Sequence, residues 1–152
     1  MNAKLTAYWI ATGLLAFFIG SGGAAELVQV PGNVQGLAAL GYPAYFVMLI
    51  GFWKLLGAIA VLVPRFPRLK EWAYAGMFFN MTGAAVSTIA VTGTSEAWHV
   101  VAQLLMAALI VASWALRPPD RRLGEVLPVR WERGQRDHVA HLPEESGATA
   151  VA

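Results

Sequence analysis

Four uninterrupted apolar stretches, each of bilayer length, constrain this chain more than any other feature. They run from about Leu5 to Gly23, Tyr42 to Val63, Trp72 to Val91 and Trp98 to Leu116. At 1.5 Å rise per residue, a helix of ~20 residues matches the ~30 Å hydrocarbon core of a membrane. A water-soluble fold would have to hide all four, and the polar surface for that is missing. Charged residues make up 13% of the 152-residue chain, against about 25% in soluble domains. The expected architecture is therefore all-α: a four-helix transmembrane bundle over residues 1–117, followed by a tail over 118–152.

Basic residues orient the bundle. Lys4 precedes the first stretch, Arg65, Arg68 and Lys70 lie between the second and third, and Arg117, Arg121 and Arg122 follow the fourth. The connections Ala24 to Gly41 and Thr92 to Ala97 hold neither Lys nor Arg. The positive-inside rule then places both termini and the middle loop in the cytoplasm. Lys4, an apolar run and "GSGGAAE" imitate a cleaved signal peptide. The length of that run and its aromatic residues Tyr8, Trp9, Phe17 and Phe18 favour a retained span.

Several function classes fall away. With no cysteine, disulfide exchange, thiolate-bound metal and paired-thiol quinone chemistry are excluded. The net charge of +2 and pI near 9.2 are explained by orientation, leaving no contiguous basic face for nucleic acid. The chain carries no dinucleotide fingerprint, phosphate-binding glycine loop or HExxH. From Pro118 the sequence mixes both charge signs with Pro and Gly and has no sustained period, as expected of a mostly disordered cytoplasmic tail. His138 and His141 lack further ligands for a metal site, and Val126 to Gly134 is the tail's most apolar segment, a weak docking signal.

Polar residues inside the apolar stretches are the candidate site. Lys54 lies nine residues before Val63 and Asn80 eight after Trp72, placing both ~12–13 Å above the cytoplasmic end. Gln103 lies one to two turns further outward, within reach of a flexible lysine. A lysine at mid-membrane costs ~2.5–3.5 kcal/mol on insertion scales, so it needs partners; Asn80, then Gln103, are the nearest in depth. Two readings stay open: a ligand or proton site, or polar residues that tie helices together. His99, near the outer surface, and Glu26, just past the first stretch, complete the candidate set. His99 is the only histidine within the helices, so a bis-histidine haem in one chain is unavailable. Small-residue stripes favour close helix packing: Gly13, Ala16 and Gly20; Gly51, Lys54 and Ala58; and Gly76, Asn80, Gly83 and Ser87. A fourth stripe, His99, Gln103, Met106, Ile110 and Ser113, has a polar outer end.

The strings "PGNVQGLAALGYPAYFVMLIGFWKLLGAIAVLVP" and "RLKEWAYAGMFFNMTGAAVS" resemble the DoxX-like membrane proteins, which share "GYP" before the second helix, a "KLLGAIALL" type core and "EWAYAG" at the third. The likeness spans Leu5 to about Leu116. It implies a small four-helix protein of the bacterial inner membrane, related to subunits of a thiosulfate:quinone oxidoreductase and to partners of redox-stress enzymes. In that family an acidic residue is common where Asn80 stands and a histidine where Thr88 stands; this chain has neither. The expected role is accordingly an accessory or scaffold subunit of a membrane redox complex, in contact with lipid and with a partner protein or its own copies, and with quinone as the one cofactor in view. A carrier holding an anionic group at Lys54 comes second, and an autonomous quinone-linked enzyme third.

Overall fold

The computed structural model describes residues 3–122. Five α-helices and no strand occur among them: α1 Ala3–Leu27, α2 Pro31–Ala39, α3 Ala44–Leu62, α4 Pro67–Thr92 and α5 Ala97–Leu116, with a single 3-10 turn at Pro119–Arg121. Helices α1, α3, α4 and α5 are each long and apolar enough to cross a membrane. The tail from Leu123 onward, with its expected disorder and its His138 and His141, lies outside the described residues.

Helix ends differ from the hydropathy limits in instructive ways. Helix α1 continues past Gly23 to Leu27, so Glu26 belongs to its last turn rather than to a loop. Helix α4 begins at Pro67, five residues before Trp72, with the proline in the first turn, where its missing N–H costs nothing. Lys70 and Glu71 are thereby helical. The short α2, unforeseen in the first connection, also starts on a proline and buries no residue. Hydropathy reports where the apolar composition stops, whereas a helix continues as long as its hydrogen bonds can close. Helix α3 does stop where the sequence says it should: Val63, which precedes Pro64, is extended, with φ −61° and ψ 132°.

Helices α1 and α3 are in backbone contact. A Cβ placed on Gly23 would lie 2.8 Å from both Gly51 O and Lys54 Cβ, and one on Gly51 would lie 2.7 Å from Gly23 O. One turn back, a Cβ on Gly20 would meet Ala58 at 3.6 Å, so the helices run antiparallel. Two of the expected small-residue stripes therefore do join helices, although Gly13 faces open space. The core, shared by all four long helices, is built on Leu15, Ile19, Ala58, Val61, Tyr74, Met77, Met81, Ala107 and Ile110.

The third stripe does not turn inward. Helix α4 buries Lys70, Tyr74, Met77, Met81, Ala85 and Thr88, whose larger side chains fill the core, while Gly76 and Gly83 are exposed with nothing near a would-be Cβ. Large apolar side chains point outward on every long helix, among them Phe17 (67% exposed), Trp53 (62%), Phe79 (70%) and Leu105 (65%). Such a surface suits acyl chains and not water.

Candidate functional site

Lys54 forms an ion pair with Glu26, its Nζ donating to Oε1. The side chains are 15% and 6% exposed. Local geometry explains the choice of partner. A helical side chain leans toward its own helix's N-terminus, and in α3 that direction leads away from the basic end of the bundle. The amine therefore reaches the last turn of α1, which the Gly23–Gly51 contact has brought alongside. Glu26 Oε2 is buried without a hydrogen-bond partner. Depth alone favours Asn80 and Gln103; it takes no account of which helix lies against α3, and the close neighbour on the lysine's side is α1. One signal was present, since Glu26 is the only carboxylate before Glu71.

Asn80 does not bond to Lys54. Both line a lateral groove of about 690 Å³ between α3 and α4, walled also by Trp53, Gly57, Leu69, Trp72, Gly76 and Met77. Gln103 exchanges long hydrogen bonds of 3.4 Å with Thr88. His99 is exposed beside Glu96, with Nδ1 2.6 Å from its carboxylate. The five candidates thus divide into a membrane-interior group of Glu26, Lys54 and Asn80, an interhelical pair at Gln103, and a surface pair at His99.

A second polar cluster, read in the sequence only as orientation charge, closes the opposite end. Lys70 is buried in the bundle. Its amine donates to Ala60 O at 3.0 Å, Val61 O at 2.9 Å and Val63 O, while Arg121 Nη1 reaches Leu62 O and Tyr8 Oη, each at 3.4 Å. Two cations from later in the chain therefore occupy the last carbonyls of α3, which have no partner within that helix. Arg117 is also buried. It donates to Glu71 at 2.7 Å and to Trp114 O at 3.0 Å, and its guanidinium lies 5.0 Å from the Tyr74 ring centre. Just inside, Ser113 bonds Thr12 at 2.8 Å and Tyr74 at 2.9 Å, joining α1, α4 and α5. Arg65 and Arg68 remain exposed.

Among the described residues no group of three His, Asp or Glu side chains is placed to hold a metal ion. The arrangement defines a small polytopic helical membrane protein whose bundle holds the Lys54–Glu26 ion pair between α1 and α3. A family model, the DoxX-like family, matches residues 10–113, and the chain belongs to that family. No curated protein and no solved structure matches it.

Proposed function

We propose that this protein is an accessory subunit of a membrane redox complex, acting as a scaffold rather than as its catalyst. The carrying observation is the way the interior polar groups engage one another. Lys54 is neutralised by Glu26, Gln103 is bonded to Thr88, and Ser113 links Thr12 to Tyr74. Groups bonded in this way hold helices in register. Among the described residues these interior groups include no nucleophile paired with a base, and the exposed His99–Glu96 pair lies apart from them at the surface. The redox association rests on DoxX-like membership. In the same reading the protein sits in a bacterial cytoplasmic membrane, with its basic end inward. The anion-carrier alternative loses support from the same pair, because the charge of Lys54 is already compensated.

The test is purification of the tagged chain from its native membrane in mild detergent. A redox-cofactor-bearing enzyme should accompany it at fixed stoichiometry, and deletion of this chain should lower that enzyme's activity in membranes. Isolation without such an enzyme, combined with quinone reduction or anion flux by the chain alone in liposomes, overturns the proposal.

A further inference from the structure

Helix α4 carries an outward seam with a regular 3-4 spacing: Leu69, Trp72, Gly76, Phe79, Gly83 and Val86. The side chains are 51% (Leu69), 80% (Trp72), 70% (Phe79) and 66% (Val86) exposed, and neither glycine has an atom within 4 Å of a would-be Cβ. Large residues and glycines therefore alternate along one line, as knobs and holes do in a packed helix pair. Asn80 flanks the seam, half-buried, thirteen residues from Pro67 and twelve from Thr92, hence at the middle of the span. Its carboxamide has no hydrogen-bond partner among the described residues. The groove beside it, which shares Leu69, Trp72, Gly76 and Asn80 with this face, is unfilled by the chain itself.

We propose that the α4 seam is the contact between two copies of this chain. Hydrocarbon offers an amide nothing to bond with, so whatever covers Asn80 must bring a polar group to mid-membrane depth. A second copy does so automatically. Copies inserted in the same orientation are related by a two-fold axis along the membrane normal, which sets each residue at the depth of its counterpart. A carboxamide, with donors and an acceptor, pairs with itself. The seam leaves room for such a pairing: Gly76 and Gly83, with nothing near a would-be Cβ, flank Phe79 on either side, so that the two Phe79 rings can lie past one another, and Trp72 lies over the groove. This inference is independent of the redox reading.

The absence of cysteine makes the test clean. Single variants Trp72→Cys, Phe79→Cys and Val86→Cys are oxidised in native membranes beside Leu105→Cys and Phe17→Cys, which lie on exposed faces of α5 and α1. Covalent dimer should form at the seam with a heptad maximum and stay at background on α5 and α1. In the Val86→Cys background, Gly83→Leu should abolish it. The isolated bundle has room for that leucine, and leucine is the better helix former, so unchanged thermal unfolding of the detergent-solubilised monomer shows that folding is intact. Asn80→Leu should lower the dimer yield roughly tenfold while Asn80→Gln retains most of it. Equal cross-linking on all faces, a maximum on α1 or α5, or a Gly83→Leu variant that dimerises normally would overturn the proposal and leave the seam to lipid or to an unlike protein.

Discussion

A lysine stranded in hydrocarbon costs roughly 2.5–3.5 kcal/mol, and Lys54 meets that cost by lying against Glu26. Each charge is tolerable only because of the other. Removing one partner of a buried pair leaves the other uncompensated, at about 3–5 kcal/mol, whereas replacing both by neutral groups is often close to neutral. Lys54→Met and Glu26→Gln should therefore each destabilise the bundle strongly, and the double variant should regain most of the loss in thermal unfolding of the detergent-solubilised protein. Additive losses would show that the two residues do not act as a pair. The lysine itself was legible in the sequence, because a lone amine stands out in an apolar run. Its partner was not, because Glu26 falls beyond the limit that hydropathy draws for the first span. Lys70 and Arg117 were still less visible, since composition cannot separate a basic residue that orients a chain from one that closes a helix end inside it.

At the level of helices, the closest contact is the crossing of α1 and α3 at Gly23 and Gly51. A methyl on Gly23 would sit 2.8 Å from a carbonyl oxygen and from a Cβ, neither of which can swing aside. Gly23→Ala must part the helices, and overpacking of this kind costs about 1–3 kcal/mol. It should also weaken the Lys54–Glu26 pair, which depends on the same approach. Gly13→Ala has open space around it and gains up to ~1 kcal/mol of helix propensity, so its melting temperature should equal or exceed that of the parent protein. Equal effects of the two variants would remove the crossing from the account. The four spans were legible from length and hydropathy alone. Which face of each turns inward was not: α4 buries Tyr74, Met77 and Met81 and presents Gly76 and Gly83 outward, the reverse of what a small-residue stripe suggests for a single bundle.

For the molecule as a whole, the start of α1, the α3–α4 turn and the end of α5 gather at one end, tied by Arg121 to Tyr8 and Leu62. The proposed orientation, drawn from the positive-inside rule, puts that end in the cytoplasm. A periplasm-active reporter fused after Arg122 should be silent, and one inserted between α1 and α3 active; the opposite result reverses the orientation. The bonds to the carbonyls of α3 also bear on how the chain is made. Leu62 and Arg121 are 59 residues apart, and at ~5–20 residues per second the ribosome needs roughly 3–12 s to cover that distance. Lys70, eight residues beyond Leu62, can cover the carbonyls of Ala60, Val61 and Val63 early in that interval, so Leu62 O alone waits for its cation. The end of the second span is thus fastened in two strokes, an early one by a near neighbour in sequence and a late one through Arg121 that also ties down the first span at Tyr8, and a chain cut short before that residue keeps the first stroke alone.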